Sequence, residues 1–431
     1  MKRILLGIIL IGIVGLIGGL AWAMRYPALD PISPIDASME FDSQVIALGQ
    51  DLAGFGDCSV CHTDPRQGLA FAGGLPLETP FGVLYTTNIT PDPETGIGTW
   101  SEESFSRAMR EGVDNEGQYL YPAFPYDHFT KITDEDMHAL YAYIMSLEPI
   151  SYTPPENELA FPFNIRLSLA GWNLLYLDKS RWEPDPTQSD EWNRGFYLAD
   201  GLGHCESCHT PRNLMGAEIA SKAYDGAVVE GWYAPALNDE TTSAIPWTQI
   251  ALVNYLLDGW DENHGVSAGP MTPVVNHLYE LPEDDGFAIA KYIESLRPNL
   301  PSEEATAELM AFALEQEWDP DNPPSYDDPG IQAGVDAFDG LCANCHKVGG
   351  TTVPLAITST VRMPEALNVM NIIFDGVRPP LGARDHSMPE FGASLADEDI
   401  ADVLRFIRMQ FTNLPAWENL EEIIAEKRKH W

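Results

Sequence analysis

Apolar residues recur every three or four positions in six stretches of the chain, the spacing of one buried helix face. The stretches form three pairs. The first members of the pairs are Gln44–Phe55, Trp192–Leu202 and Ile331–Leu341. The second members are Asp134–Leu147, Glu283–Leu296 and Asp397–Phe411. Each second member begins with acidic residues, which favour a helix N-terminus. The pattern therefore predicts a mainly α fold of three tandem helical modules.

Loops rich in glycine, proline and aromatic residues separate the two helices of each pair, and strand patterns are scarce. Proline-rich stretches separate the pairs, and Pro149 and Pro298 stop the helices before them. These limits predict modules over residues 40–150, 188–299 and 327–414. They leave linkers over 151–187 and 300–326 and an amphipathic C-terminal tail over 415–431.

An uncharged apolar run of 21 residues, Ile4–Met24, follows Lys2 and Arg3 near the N-terminus. As a helix it would span about 31 Å, close to the hydrocarbon thickness of a bilayer. We therefore expect a retained transmembrane anchor within residues 1–26. The basic end stays in the cytoplasm, which places the body on the periplasmic side of the inner membrane. A cleavable signal peptide is the alternative, because Ala21-Trp22-Ala23 resembles a cleavage site.

The composition excludes one class of partner. The chain has 65 acidic residues against 24 lysines and arginines, a net charge of −41, which repels nucleic acid. The same charge would favour docking of a basic partner, and an acidic solubility shell is the alternative explanation. With 45% hydrophobic residues among 431, the chain can build proper cores.

All six cysteines lie in three Cys-x-x-Cys-His pentads, each placed just after the first helix of a pair. This spacing is typical of covalent c-type haem attachment, in which two thiols bond the porphyrin and the histidine binds iron. Zinc needs four ligands in one place, whereas each pentad supplies three. The sequence therefore predicts three covalently bound haem c groups. The attaching residues are Cys58, Cys61, Cys205, Cys208, Cys342 and Cys345, and the axial histidines are His62, His209 and His346.

Each haem also needs a sixth iron ligand or an open site, and methionine is the usual ligand for electron transfer. The loop before the second helix of the pair holds Met271 in the second module and Met388 in the third. We predict both as ligands, with His277 and His386 as rivals.

The first module departs from this pattern, because Phe124 stands where the methionine is expected and cannot bind iron. His128 lies four residues further on. We predict that His62 and His128 are the two axial ligands of the first haem. A loop histidine without a ligand role is the alternative, and Met137 and Met109 are weaker candidate ligands.

With these motifs the chain resembles the membrane-bound triheme cytochrome c subunits of bacterial periplasmic dehydrogenases, from about residue 44 to 412. Besides the pentads, the shared motifs are Thr86–Pro91, Tyr121–Tyr126, Thr210–Arg212 and Gly269–Met271. The resemblance implies three tandem cytochrome c domains with no catalytic centre of their own. It also implies electron transfer from a molybdopterin-, PQQ- or flavin-dependent catalytic subunit to ubiquinone or a terminal oxidase. Phe124 with His128 looks more like the members paired with molybdopterin hydroxylases than like alcohol dehydrogenase subunits.

Two other functions remain open from the sequence. One is a free-standing membrane-anchored electron shuttle, and the other is a haem enzyme whose first haem is open because His128 does not bind it. Two apolar segments bear on partners. Leu159–Leu177 would contact the membrane, a partner or quinone, although a packing helix between modules is the commoner explanation. Leu420–Trp431 would contact anionic lipid or the catalytic subunit, or form a solvated tail.

Overall fold

The computed structural model describes residue 15 and residues 18–33, 41–243, 245–350 and 352–431. Most of the predicted anchor Ile4–Met24 lies outside these residues. Among the helices that are described, none combines the length and the apolar character needed to cross a membrane. The chain divides into two compact units. The first comprises Met1–Pro184, Asp200–His204 and Asn213–Ala217, and the second Asp185–Ala199, Cys205–Arg212 and Glu218–Trp431.

The first unit is mainly helical, with one small sheet. Its helices include Ser43–Phe55, Cys58–Cys61, Glu102–Glu111, Tyr126–Phe129, Asp134–Ser146 and Leu169–Tyr176, with a 3-10 turn over Arg166–Ser168. The strands Pro76–Thr79, Gly82–Tyr85 and Glu158–Leu159 form an antiparallel sheet in that order, with Leu77 opposite Leu84. The prediction of a mainly α fold is confirmed, and the short strands were not predicted.

The second unit contains the third predicted module and all of the second module except Asp200–His204 and Asn213–Ala217, which belong to the first unit. Its helices include Asp190–Phe196, Glu206–His209, Gln249–Val253, Met271–Leu278, Glu283–Ser295, Glu303–Gln316, Pro329–Leu341, Ser359–Arg362, Leu367–Asp375, Asp397–Phe411 and Leu420–His430. Asn254–Asp258 is π-helical, as is Tyr197–Leu202, whose last three residues belong to the first unit. Ala220–Lys222 and Leu355–Ile357 are 3-10 turns. Two hairpins pair Ala227–Val229 with Trp232–Ala234 and Trp260–Asp261 with Gly265–Val266.

Side chains of one helix join the two modules of the second unit. Asn368 accepts a hydrogen bond from the Tyr233 amide at 2.7 Å and donates to the Tyr233 carbonyl at 2.9 Å. Asn371 donates to the Gly231 carbonyl at 2.8 Å. Both asparagines are buried and lie in the helix Leu367–Asp375 of the third module. Their hydrogen bonds to backbone groups fix this helix against the hairpin of the second module.

The six predicted helices are present, and we name them by their order in each pair. The leading helices are Ser43–Phe55, Asp190–Phe196 and Pro329–Leu341, and the closing helices are Asp134–Ser146, Glu283–Ser295 and Asp397–Phe411. Caps explain their starts: the Thr133 hydroxyl accepts from the Asp136 amide, and Asp328 accepts from the Gly330 and Ile331 amides. The second leading helix ends earlier than predicted because its last part becomes π-helical.

Each leading helix crosses its closing helix at a glycine. A Cβ atom placed on Gly49 would lie 1.9 Å from the Ala139 oxygen, and one on Gly195 would lie 1.9 Å from the Ala288 oxygen. At Gly334 the distance to the Asp402 oxygen would be 2.3 Å. Four residues after each of these carbonyls stands an aromatic residue, Tyr143, Tyr292 or Phe406, whose Cβ covers the same glycine. The close backbone approach is therefore repeated three times and requires glycine each time.

The C-terminal helix Leu420–His430 packs on the third module. Leu420 and Ile424 are buried in a cluster with Phe374 and Ile400. Arg428 donates to an Asp397 carboxylate oxygen at 2.8 Å and to the Leu395 carbonyl at 3.0 Å. The solvated-tail alternative is therefore wrong, because the apolar side of the amphipathic pattern is covered by the protein itself.

Candidate haem-attachment sites

The three pentads share one local geometry. In each, the histidine amide donates to the carbonyl of the first cysteine, at 3.0 Å for His62, 3.1 Å for His209 and 3.0 Å for His346. This single helical turn brings both thiols and the imidazole of a pentad together. Asp57 and His204, which precede two of the pentads, have positive φ angles of 51° and 35°. The left-handed residue turns the chain from the leading helix into the pentad.

The thiols are placed unequally within each pair. The first cysteine of every pentad is half-buried and the second is exposed, and none of the six forms a disulfide. Desolvation raises the pKa of the Cys58 thiol to about 12, helped by Cys61 and Asp57. Desolvation, with Cys345 nearby, raises the pKa of Cys342 to about 11. The half-buried first thiol and the exposed second thiol therefore differ in environment within one attachment turn.

Backbone carbonyls orient the first two histidines. His62 Nδ1 lies 2.6 Å from the Thr87 carbonyl oxygen, and His209 Nδ1 lies 2.7 Å from the Pro235 carbonyl oxygen. A carbonyl only accepts, so Nδ1 carries the hydrogen and Nε2 carries the lone pair that an iron ligand needs. Desolvation lowers the pKa of both imidazoles, which keeps them neutral.

The third histidine has a weaker partner. His346 Nδ1 lies 3.4 Å from the Thr352 hydroxyl oxygen, and that hydroxyl donates to the Cys345 carbonyl at 3.0 Å. Desolvation lowers the pKa of His346 as well. A groove beside this imidazole is lined by apolar groups that include Trp318, Val353 and Phe411. A neutral imidazole next to two thiols and a groove with apolar lining fits a covalently attached haem.

The predicted distal methionines of the second unit occupy defined positions. Met271 is the first residue of its helix and is half-buried. Met388 is held by two backbone hydrogen bonds with Val377, at 2.9 and 3.1 Å, and is also half-buried. The rival His277 lies later in the helix of Met271. The rival His386 packs its ring on Trp260 with centroids 4.4 Å apart, and its Nδ1 is buried without a hydrogen-bond partner among the described residues.

In the first unit, Phe124 and His128 lie on neighbouring turns of the chain. Phe124 packs against Phe129, with ring centroids 5.4 Å apart. His128 is 3% exposed in the short helix Tyr126–Phe129, and its Nδ1 lies 2.9 Å from the Asp200 carbonyl oxygen. This contact resembles that of His62 and likewise assigns the Nδ1 hydrogen. The weaker candidates Met109 and Met137 are both buried in core helices.

Sequence reasoning missed the carbonyl partners of the histidines. Thr87 lies in the Thr86–Pro91 motif, so a signal was present in the first module. Pro235 belongs to no motif and is brought to His209 by the hairpin ending at Ala234. A main-chain acceptor leaves no residue type to recognise, because every residue has a carbonyl group.

Two family models match parts of the chain. The family model Cytochrome c matches residues 46–148, and the model for cytochrome C oxidase, cbb3-type, subunit III matches residues 329–407. One subunit of the nicotinate dehydrogenase of Pseudomonas putida is 43% identical over 421 residues. That alignment covers 96% of this chain and 34% of the relative, so the chain spans about a third of that protein.

Two shorter relatives are matched over most of their length. The fructose dehydrogenase cytochrome subunit of Gluconobacter japonicus is 34% identical, with 90% of this chain and 83% of the relative covered. The gluconate 2-dehydrogenase cytochrome c subunit of Pantoea cypripedii is 34% identical, with 88% of each covered. The resemblance stated from the motifs is thereby confirmed. The chain therefore belongs to the family of cytochrome c subunits of bacterial dehydrogenase complexes, and its function is electron transfer.

Proposed function

We propose that the chain carries three haem c groups and passes electrons from a catalytic subunit to ubiquinone or a terminal oxidase. The observation that carries this proposal is the threefold repetition of one attachment turn, with a desolvated neutral histidine in each. When bound, the haem iron supplies one-electron redox chemistry. The protein contributes the attachment, the orientation of the axial groups and the exclusion of water around them.

The proposed residue roles follow the sequence prediction. The six pentad cysteines hold the porphyrins, and Nε2 of His62, His209 and His346 binds the iron. Met271 and Met388 supply thioether ligands in the second unit, and His128 supplies a second imidazole in the first. The support for His128 is its burial and its Nδ1 contact with the Asp200 carbonyl, which leaves the lone pair on Nε2. With two protein ligands on each iron, no position is left for a substrate, so catalysis belongs to another subunit.

The proposed location is the periplasmic side of the inner membrane, with Ile4–Met24 as a retained anchor. Support comes from the apolar run itself and from Lys2 and Arg3 before it. N-terminal sequencing of the mature protein tests the anchor. A chain that begins after Ala23 would show that the segment is a cleaved signal peptide.

The proposed partner is a molybdopterin-dependent hydroxylase. The relative named for nicotinate is 43% identical to this chain, whereas the relatives named for fructose and gluconate are each 34% identical. Phe124 with His128 favours the same group. An N-heterocyclic aromatic compound is therefore the substrate class that we propose for the partner.

Purification from native membranes in mild detergent tests the relay and its partner together. We expect a large molybdenum-containing subunit to co-migrate, and we expect the denatured chain to weigh three haems more than its sequence. Fewer than three added haems would overturn the proposed haem count. A chain that purifies without any large subunit would instead support a free-standing shuttle.

Magnetic circular dichroism in the near infrared tests the axial ligands. We expect two methionine–iron signals and one bis-histidine signal from the oxidised protein. Three methionine signals would overturn the role of His128. Carbon monoxide binding to one iron of the reduced protein would contradict the closed relay and favour an enzyme.

A further inference from the structure

The first unit has an exposed apolar surface that lies outside the three attachment turns. We call it the apolar face, and it consists of Phe161, Ile165, Leu174, Leu175, Leu214 and Met215. Leu174 is 69% exposed, Leu175 71% and Leu214 96%. Single exposed apolar residues are ordinary, but six large ones on adjoining segments mark an interaction surface.

Buried side chains of a hydrophobic cluster lie under the apolar face. In the helix Leu169–Tyr176, Leu169 and Trp172 are buried while Leu174 and Leu175 point to solvent. Trp172 Nε1 donates to the Met215 carbonyl at 3.1 Å, which fixes the loop of Leu214 and Met215 beside this helix. The expected packing helix is thus present, but only one of its sides is used for packing.

A buried asparagine holds this helix in its orientation. Asn173 accepts a hydrogen bond from the Tyr126 hydroxyl at 2.8 Å and donates to the Glu111 carbonyl at 3.1 Å. Rotating the helix to bury Leu174 and Leu175 would break both bonds and expose Trp172. The exposure of the apolar face is therefore a fixed feature of the unit.

The C-terminal end of the predicted anchor packs on the same hydrophobic cluster. Residues 18–23 are helical, and Ala23 and Tyr26 pack against the hydrophobic cluster that contains Trp172 and Tyr119. The Tyr119 hydroxyl donates to the Ala23 carbonyl at 3.0 Å, and Arg25 donates to the Tyr119 hydroxyl at 3.0 Å. The described C-terminal end of the predicted anchor therefore lies at the cluster that supports the apolar face.

Cationic and aromatic residues border this region, although the chain as a whole is strongly acidic. The Arg25 guanidinium lies 4.3 Å from the Trp22 ring centroid and 4.5 Å from that of Tyr26. Lys179 Nζ lies 5.5 Å from the Tyr26 ring centroid and 2.5 Å from a Glu111 carboxylate oxygen, so Arg25 rather than Lys179 is the cation available to an anionic headgroup. Apolar side chains, tryptophan and tyrosine rings and nearby cations are the combination found at the membrane–water boundary.

We propose that the apolar face lies in the headgroup region of the bilayer, with Leu174 and Leu175 inserted toward the acyl chains. The inference rests on the proposed attachment through Ile4–Met24 and adds a second, peripheral contact to it. The occupant is lipid because the described end of a segment predicted to enter the membrane packs on the cluster under this face. The bilayer would thus fix the orientation of the first unit.

Photo-crosslinking in the full chain tests this contact. Benzoylphenylalanine is placed at Leu175 and, as a matched control, at Leu314, a helical leucine of the second unit that is 58% exposed. After irradiation of native membranes, we expect phospholipid adducts at position 175 at least tenfold more often than at position 314. Equal yields at the two positions, or adducts to protein at position 175, would overturn the proposal.

A charge-introducing variant gives a second measurement. In nanodiscs containing anionic lipid, we expect hydrogen exchange in residues 169–177 to be several-fold slower than in detergent. The double variant Leu174→Glu with Leu175→Glu should lose this protection while keeping the urea unfolding midpoint of the unchanged protein, which reports that it is folded. Equal exchange in nanodiscs and in detergent for the unchanged protein would overturn the proposal.

Carbonate extraction separates this inference from the proposed attachment. A chain that carbonate releases from membranes lacks a spanning anchor, and the attachment through Ile4–Met24 would then be wrong. A chain that stays in the membrane but gives no lipid adduct at position 175 would remove only the role of the apolar face.

Discussion

The second and third haem-attachment sites lie in the same compact unit and share a scaffold, but they differ beside the proximal histidine. Both have a glycine at the helix crossing, Gly195 and Gly334, and both close the pentad with the same backbone hydrogen bond. His209 Nδ1 lies 2.7 Å from a carbonyl oxygen, whereas His346 Nδ1 lies 3.4 Å from a hydroxyl oxygen. The geometry of the attachment turn is thus the same in the two modules, whereas the hydrogen-bond partner of the proximal histidine differs.

This difference means that the haem can be attached in the same way in both modules while its reduction potential is set separately. A strong hydrogen bond to Nδ1 makes the imidazole a better donor and favours ferric iron, so it lowers the reduction potential. If Met271 and Met388 are both ligands, the distal sides of the two sites are alike. We therefore expect the third haem to have a higher potential than the second.

The largest effect is expected on the free energy of unfolding, from a substitution at the glycine where the leading and closing helices cross. Gly334→Ala places a methyl group against the Asp402 backbone, and overpacking of this kind costs about 1–3 kcal/mol. Gly340→Ala is the matched control, because it lies in the same helix with open space around it. The control should be neutral or stabilise by up to about 1 kcal/mol. Urea unfolding followed by circular dichroism measures both, and equal midpoints would contradict the packing role of Gly334.

The next effect is expected from making the first site resemble the others. His128→Met would replace an imidazole by a thioether, which should raise the potential of one haem and add a third methionine–iron signal. His138→Met is the control, because that histidine is partly exposed and its Nδ1 lies 3.0 Å from a Glu102 carboxylate oxygen. An unchanged near-infrared spectrum in the His128 variant would show that this residue does not bind iron.

The sequence predicted the leading and closing helices but not the glycines at which they cross. The third closing helix was predicted with the bounds it has, because acidic residues mark its start and its apolar positions keep one period. The crossing glycines were missed, because the distance from glycine to the following cysteine differs in each module. Nothing local distinguishes Gly334, which touches a neighbouring helix, from Gly340, which touches nothing.

The sequence also could not tell which apolar sides would be covered. Leu420–Trp431 and Leu159–Leu177 both read as amphipathic or apolar segments. In the structure, Leu420 is buried by the third module whereas Leu175 stays exposed. The period of a helix shows that one side is apolar, but its partner is set by tertiary packing. The axial ligands Met271, Met388 and His128 stay predictions that spectroscopy has to test.

A smaller effect on the second module is expected from pH. His264 is buried against Trp247, with Nδ1 2.6 Å from an Asp261 carboxylate oxygen. Desolvation lowers the pKa of His264 below its ordinary value of 6.5, although Asp261 opposes the shift, and Arg297 adds to it. The unfolded chain then binds a proton that the folded chain does not, so stability falls as the pH drops below about 6.5.

His264→Gln should reduce this pH dependence. Comparing urea midpoints of both proteins at pH 7.5 and pH 5.5 measures the difference, and the other histidines are common to both proteins. We expect the midpoint to fall less on acidification in the variant. An equal fall in the two proteins would show that His264 does not contribute.

The smallest effect is expected at the contact that distinguishes the third site. Thr352→Val removes the hydroxyl near His346 Nδ1, and because this contact is long we expect only a slight rise in the potential of one haem. Thr87→Val is the matched control, because Thr87 contacts His62 through its carbonyl group, which the substitution keeps. Spectroelectrochemical titration of the three haems measures both variants. A shift of equal size from Thr87→Val would mean that the potential follows general changes in packing rather than the hydrogen bond to the proximal histidine.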